Sequence, residues 1–424
     1  MKRRFLCIIA ALLAVLLVSC STVEVFPTLT GSDSGKTGEK TPASKTEAAM
    51  TTGVPSGAEP TSEPIKESRV SFAAVGDNIV HDAVREDAAR LAGNNGSFDF
   101  VPMYSKIASA VRAADIAFVN MECPVAGASF GYSGYPYFNA PESAVDALAL
   151  SGFDVFNINN NHMLDVGTAG LASTISYFKS RSDVTMIGGY NGEDDMYSPR
   201  VITVNGIKVG FVSLCYGSNI ETIDPSYGVN VPIYMTKNAD GSYSVNEAFI
   251  SKYVSSAALS CDFLIASVHW GVEDSHTVTD EQRYVASIIA DCGADAIIGH
   301  HPHVIQSVEW ITRSDGSRTL VAYSLGNFIS TQYYDYNMLG GMMTFDIVKD
   351  EYGAVSLDCP LFKPTMTHYS MVRDSLKVYF LEDYSDSLAS LHGCSLNSDG
   401  FSYAKMISTV KYVIPAEFLS DFYR

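Results

Sequence analysis

Short apolar runs that end at polar residues are the dominant pattern of the chain from residue 70 onwards. Five such runs lie at residues 70–75, 116–119, 153–158, 263–268 and 294–298. Each is followed within two residues by Asp, Asn or His. Nearly continuous apolar runs of this length predict strands that are covered on both faces, and polar groups at their ends predict a functional site along that edge of the sheet.

Helical patterns separate several of these runs. One apolar face recurs at helical spacing after residue 170, and Thr279 with Gln282 has the spacing of a capping box ahead of a second helix. Asn205-Gly206, flanked by alternating apolar positions, predicts a β-hairpin. Strands that alternate with helices, together with a hairpin, predict a layered α/β fold with mixed sheets.

The first twenty residues predict export. Basic residues at 2–4 precede an apolar run at 5–18, which is shorter than the roughly 20 residues that span a bilayer. The run ends in Leu-Val-Ser-Cys, which resembles the lipobox of bacterial lipoproteins. Residues 1–20 are therefore interpreted as a lipoprotein signal peptide with lipidation at Cys20, and an uncleaved anchor helix is the alternative. Both interpretations place the chain outside the cytoplasm, and the first makes it lipid-anchored to the bacterial cell membrane.

Composition divides the remainder of the chain. Residues 21–68 are dominated by small, polar and charged residues and cannot bury a core, so we expect a flexible tether. Residues 69–350 carry the strand and helix patterns and are expected to form one domain. Residues 351–424 are expected to be a C-terminal extension that packs on the same domain.

The charge balance excludes one class of partner. The chain has 47 acidic and 28 basic residues and a formal net charge of −19. Binding to a nucleic-acid backbone needs clustered Lys and Arg, so we expect no nucleic-acid partner. A polyanionic ligand would bind only through metal ions or a local basic pocket.

The polar groups at the strand ends form a set that can bind metal. They are Asp77, Glu122, Asn161, His162, His269, His301 and His303. Carboxylate, amide and imidazole donors without cysteine favour Mn, Fe or Zn, bound as one or two ions. Adjacent residues of an extended segment point to opposite faces, so we expect His301 and His303 to lie together among the ligands and His300 to lie outside the ligand set.

The order of the motifs resembles the CapA family of capsule and poly-γ-glutamate synthesis proteins, which is itself similar to the calcineurin-like metallophosphoesterases. The most distinctive segments are NNNHMLDVG at 159–167, GHHPHVIQ at 299–306 and YSLGNF at 323–328. The resemblance covers residues 70–345. It implies a metallophosphoesterase-like fold, a layered α-β-β-α sandwich with mixed sheets.

The resemblance also implies roles for single residues. Asp77 would hold a first metal, Glu122 would bridge, Asn161 and His269 would hold a second metal, and His301 and His303 would divide between the two. His162 would lie beside the substrate as an acid or phosphate-positioning donor, with Asp165 orienting it.

The first motif departs from the phosphoesterase pattern, because Asp77 is followed by Asn78 and Ile79 and one imidazole is missing. Asn78 is a further candidate. His81 is either the replacement ligand or a solvated histidine at the start of the next helix. Asn327 either orients a ligand or satisfies backbone groups in a buried turn.

Two functions follow from the resemblance. The first is a metal-dependent hydrolase that acts on a phosphoester or on a cell-envelope polymer. The alternative is a non-catalytic subunit that uses the metal to bind a polyanion during polymer assembly or export. Expected partners are an anionic envelope polymer such as poly-γ-glutamate, the membrane through the lipid anchor, and membrane synthase or export subunits.

Overall fold

The computed structural model describes residues 67–220 and 222–424. The predicted signal peptide, Cys20 and almost all of the predicted tether lie outside the described residues. Within the described ranges, none of the helices combines the length and apolar character that crossing a bilayer requires.

Strands and helices alternate through most of the described chain. The strands are β1 Ser68–Asn78, β2 Ile116–Met121, β3 Val155–Asn157, β4 Thr185–Ile187, β5 Arg200–Val204, β6 Ile207–Cys215, β7 Met235–Lys237, β8 Tyr243–Val245, β9 Phe263–His269, β10 Ala296–His300, β11 Val308–Thr312, β12 Arg318–Ala322, β13 Asn327–Ile329, β14 Leu339–Lys349, β15 Val355–His368 and β16 Lys377–Phe380. The α-helices are α1 Asp82–Leu91, α2 Val101–Tyr104, α3 Ala108–Val111, α4 Glu142–Ser151, α5 Gly167–Lys179, α6 Gly192–Met196, α7 Glu247–Ala258, α8 Asp280–Asp291, α9 Asp386–Ala389 and α10 Tyr403–Val413. All five apolar runs therefore contain a strand, as the pattern predicted.

Two large sheets are each part parallel and part antiparallel. The first sheet has the order β16-β15-β14-β1-β2-β3-β4, with β13 also paired to β1. The second has the order β11-β12-β10-β9-β6-β5. Strands β1 to β4 run parallel, as do β6, β9, β10 and β12, whereas β14 joins β1 in antiparallel orientation. The predicted hairpin at Asn205-Gly206 is the β5–β6 pair.

Alternate residues of β9 separate the two faces of the second sheet. Phe263 and Ile265 belong to the core between the sheets, while Leu264, Ala266 and Val268 belong to the outer core with α7 and α8. This alternation is the period of two that an extended strand imposes.

Aromatic contacts join the two sheets. The ring of Phe72 on β1 lies 6.4 Å from that of Phe211 on β6, and Phe263 lies 6.0 Å from Phe345 on β14. Helix α5 covers the first sheet, with Phe178 packed 5.5 Å from Phe156. The predicted layered α-β-β-α sandwich with mixed sheets is confirmed.

The C-terminal part continues the first sheet. Strand β15 forms a long antiparallel pair with β14, and β16 pairs with β15 at the sheet edge. Helix α10 is tied to the residues before β14 by an ion pair between Lys405 and Asp335. The boundary between the predicted domain and its extension, at residue 350, falls in the turn between β14 and β15, and the division itself stays a prediction.

Candidate metal centre

Carboxyl ends of parallel strands from both sheets meet at one place. Asp77 lies near the end of β1, Glu122 directly after β2, and His269 and His300 end β9 and β10. His300 Nδ1 lies 3.2 Å from Asp77 Oδ1, so the contact crosses from one sheet to the other. The strand-end rule therefore places these residues together because both sheets present their parallel carboxyl ends to the same side.

Glu122, His301 and His303 form the tightest group of metal-binding side chains in the described residues. One donor atom from each lies within 4.8 Å of the others, and all three residues are buried. Glu122 Oε1 is 3.6 Å from His303 Nε2 and 3.7 Å from His269 Nε2. Glu122 Oε1 thus faces two imidazoles, that of His269 at the end of β9 and that of His303 in the loop after β10.

Asn161 and His269 add a second pair of donors. Asn161 Oδ1 lies 3.0 Å from His269 Nε2, and both residues are buried. His269 therefore faces both Asn161 and Glu122. The structure brings all six predicted ligands into one connected cluster, whereas their division between a first and a second ion stays a prediction.

Unpartnered polar atoms show that the cluster suits a divalent cation. Among the described residues, Glu122 Oε1, His269 Nδ1 and His301 Nδ1 are buried and make no hydrogen bond. A buried polar atom without a partner costs about 1–3 kcal/mol, so several in one place are unfavourable unless a ligand satisfies them. Oxygen and imidazole donors without thiolate favour Mn, Fe or Zn, so the residues of the cluster are suited to bind the predicted divalent metal.

Asp77 is held ionised by its neighbours. Burial acts to raise its pKa, but hydrogen bonds with His300 and His303 outweigh it and hold the pKa of Asp77 well below its usual value. Asn120 Nδ2 donates to Asp77 Oδ1 at 2.9 Å. His303, in turn, has its pKa lowered by burial but raised overall by the hydrogen bond to Asp77.

The pKa of Glu122 is shifted in the opposite direction to that of Asp77. Burial, followed by the charge of Asp77, raises the pKa of Glu122 well above its usual value. Asn120 Nδ2 also donates to Glu122 Oε2 at 3.0 Å, so one amide lies between the two carboxylates. A cation bound at Glu122 would replace the proton that this environment favours.

His301 and His303 lie together with Glu122 and without His300, as predicted, but not because the segment is extended. His301 and His303 have φ values of 98° and 57°, so residues 301–303 are not an extended segment. His300 is fully buried and contacts Asp77 directly. It therefore lies beside the predicted ligands, as a hydrogen-bonding neighbour of Asp77.

His162 and Asp165 form a dyad beside the cluster. His162 Nδ1 lies 2.8 Å from Asp165 Oδ2, which also accepts a hydrogen bond from the backbone N–H of Phe138 at 2.8 Å. The ring of Phe138 packs edge-on against His162 at 4.8 Å. With Nδ1 directed to Asp165, Nε2 is the nitrogen left for a substrate.

The three further candidates have different surroundings. Asn327 Oδ1 lies 3.1 Å from His303 Nδ1, so Asn327 orients a predicted ligand. Asn78 is buried and its Oδ1 instead accepts a hydrogen bond from the hydroxyl of Tyr104 at 2.8 Å. His81 packs against Phe138 and its Nδ1 faces the N–H of Thr331 at 3.4 Å, so it is not the solvated histidine of the second interpretation. Burial, with lesser effects from neighbouring cations, lowers the pKa of His81 to about 3.

Residues after β6 border the site and were not predicted. The ring of Tyr216 lies 4.9 Å from that of His301, and Asn219 Nδ2 lies 3.4 Å from His162 Nδ1. The backbone N–H of Asn219 donates to the carbonyl of Asn161 at 2.8 Å. The position of Tyr216 directly after an apolar parallel strand could have identified it, whereas Asn219 lies four residues beyond the end of β6.

The family described as bacterial capsule synthesis protein PGA_cap matches residues 71–332 of the chain. This match contains every residue of the cluster and the dyad.

Two curated relatives are similar over part of the chain. Capsule biosynthesis protein CapA of Bacillus anthracis is 32% identical over 46% of this chain and 44% of its own length. PGA biosynthesis protein CapA of Bacillus subtilis is 26% identical over 56% of this chain and 58% of its own length. The chain thus spans about half the length of the curated relatives it matches. Among solved structures, the NAD nucleotidase of Haemophilus influenzae has a TM-score of 0.39 and 12% identity, covering 84% of this chain and 58% of that one.

Proposed function

The chain belongs to the PGA_cap family of bacterial capsule synthesis proteins, and on this basis we propose that it is a metal-dependent hydrolase. Its substrate would be a phosphoester or amide bond in an anionic cell-envelope polymer, such as poly-γ-glutamate, or in a precursor of that polymer. The family name supports the polymer, and the side chains of the site support the hydrolysis.

The observation that carries the proposal is the His162–Asp165 dyad next to the metal-binding cluster. A site that only captured a carboxylate would need the cluster, but it would not need an imidazole fixed by a buried carboxylate. Asp165 is buried and fixes the ring of His162 through Nδ1. A histidine oriented in this way is suited to proton transfer at Nε2.

In the proposed reaction His162 protonates the leaving group through Nε2. Asp165 accepts the hydrogen bond from Nδ1–H and so keeps Nε2 directed at the leaving group. Phe138 covers one side of the ring and limits its rotation.

Asp77, Glu122, Asn161, His269, His301 and His303 would hold one or two divalent cations. Such a cation supplies Lewis-acid polarisation of the scissile group and positive charge that attracts an anionic substrate. Local positive charge is required here because the chain as a whole carries a formal charge of −19.

We also propose that the protein acts at the outer face of the cell membrane. A lipid anchor at Cys20 would hold the protein at the outer face of the bacterial cell membrane. Membrane subunits for polymer synthesis or export would then be accessible partners. The basis is the order of basic residues, apolar run and Cys20 at the N-terminus.

Turnover by the purified chain tests the proposal. With Mn²⁺ we expect hydrolysis of bis-p-nitrophenyl phosphate or shortening of poly-γ-glutamate. His162→Ala should lower kcat by about 10²–10⁴, the usual contribution of a positioned acid or base. Tyr412→Ala, at a residue 87% exposed, is the control and should leave kcat unchanged. Metal-dependent polymer binding without turnover in the wild type would instead support the non-catalytic subunit.

A further inference from the structure

A recess of about 620 Å³ opens beside the metal-binding cluster. Most of its lining comes from the residues between β6 and β7 and from the β7–β8 hairpin, and Glu281 on α8 also contributes. Its walls include Tyr216, Asn219, Ile220, Ile223, Ile233 and Met235. This volume lies within the usual range of small-molecule sites, about 300–1,000 Å³.

The recess borders the proposed catalytic site through two shared residues. Tyr216 contributes to its wall and also lies 4.9 Å from the ring of His301. Asn219 contributes to the wall and also faces His162 Nδ1 at 3.4 Å. A molecule whose reacting group lies between His162 and the cluster would therefore have the recess next to it, on the far side of Tyr216 and Asn219.

The walls are mainly apolar. Ile220, Ile223, Ile233 and Met235 are half-buried, so the side chains are neither in the core nor fully hydrated. Among the described residues, the charged side chains of the lining are Lys237 and Glu281, which have opposite signs. Apolar ligand groups gain free energy in such surroundings, whereas a buried carboxylate without a partner would lose it.

We propose that this recess is a second substrate subsite, which binds an apolar or aromatic group attached to the anionic group that reacts at the cluster. The proposal rests on the proposed function and narrows its substrate to the second of the two classes given there, a polymer precursor, in the form of an amphiphilic phosphoester or amide. Tyr216 would separate the two subsites, with one edge towards His301 and the other towards the recess.

Binding of non-hydrolysable phosphonates to the full chain in Mn²⁺ tests the proposal without requiring turnover. Calorimetric affinities would be compared for methylphosphonate, 1-naphthylphosphonate and decylphosphonate. We expect naphthyl or decyl to bind at least about tenfold more tightly than methyl, since either buries apolar area that methyl lacks. A larger gain for naphthyl would identify an aromatic group, and a larger gain for decyl would identify an aliphatic chain.

Two variants localise the effect. Ile220→Asp and Ile223→Asp should each reduce the preference over methylphosphonate by about tenfold, because a charge would enter the wall. Leu259→Asp, at a residue 90% exposed at the end of α7, is the matched control and should keep the preference. Equal affinity for all three ligands, no binding by any of them, or an unchanged preference in both recess variants would overturn the subsite. A hydrolase lacking this preference would keep the proposed function and lose only the subsite.

Discussion

Single residues constrain the cluster through backbone packing as well as through donor atoms. Gly299 precedes the histidines, and a Cβ at this position would lie 1.9 Å from the carbonyl oxygen of Tyr323 and 2.6 Å from Trp270 Nε1. These two atoms form a hydrogen bond of 2.8 Å with each other. Glycine is therefore required where β10 passes over this bond.

We expect Gly299→Ala to destabilise the protein by about 1–3 kcal/mol or more, because the added methyl must displace backbone and a buried indole. Chemical unfolding would measure the change. Gly217→Ala is the matched control, since a Cβ there meets no atom within 4 Å. Equal stability of the two variants would show that β10 can move away from Tyr323 at little cost.

Single residues also show how much of the site the sequence could predict. Asp77, Glu122 and His269 were predictable because each follows an apolar strand, and a strand end is a local signal. The backbone path that brings His301 and His303 together was not, because it depends on positive φ values at both residues, which flank Pro302. Non-glycine residues rarely adopt this conformation, and nothing in the local pattern indicates it.

At the scale of elements, strands were predicted better than their connections. Gln282 forms the predicted capping box with Thr279 at the start of α8, which the structure confirms. The same side chain is fully buried and donates to Gln306 at 2.7 Å, a contact that the capping pattern does not predict. The capping pattern is local, whereas the contact with Gln306 depends on how α8 packs against the loop after β10.

His392 contacts the end of β15 and must remain neutral. His392 Nε2 donates to the carbonyl of Thr367 at 2.8 Å, while Nδ1 accepts from the N–H of Cys394 at 3.1 Å. A protonated ring would direct an N–H at the N–H of Cys394. Burial, the largest cause, lowers the pKa of His392 to about 3.

This contact predicts an acid-dependent loss of stability. Between the unfolded pKa of about 6.5 and the folded pKa of about 3, the unfolded chain binds a proton at His392 that the folded chain does not. The free energy of unfolding should therefore decrease as the pH is lowered through this window, by at most about 1.4 kcal/mol per pH unit from this group. His392→Gln should have a shallower slope in urea unfolding between pH 6 and pH 4. Parallel slopes for wild type and variant would contradict the assignment.

At the scale of the whole molecule, the site exists because two sheets converge. Asp77 and Glu122 come from the first sheet and His269, His300 and the loop to His303 from the second, so neither sheet alone contains the cluster. Removing the contact between the sheets would separate the carboxylates from most of the imidazoles. The metal site and the interface between the sheets are therefore expected to be lost together on unfolding.

The proposed membrane anchor is a property of the whole chain and is tested at Cys20. Wild-type protein should incorporate a labelled fatty acid, whereas Cys20→Ala should not, because the acyl chains have no other proposed attachment site. Labelling in cells followed by mass spectrometry of the N-terminus would measure this. An unchanged mass and membrane fraction in Cys20→Ala would instead favour an uncleaved anchor helix.

The most direct test of the central claim is the metal content of the purified chain and three variants. The account predicts bound Mn, Fe or Zn in the wild type, strongly reduced content in His301→Ala and Asn161→Ala, and near wild-type content in His162→Ala. The reason is that His301 and Asn161 belong to the cluster, whereas His162 is held by Asp165 outside it. Loss of metal from His162→Ala as complete as from His301→Ala, or no metal in the wild type, would contradict the account.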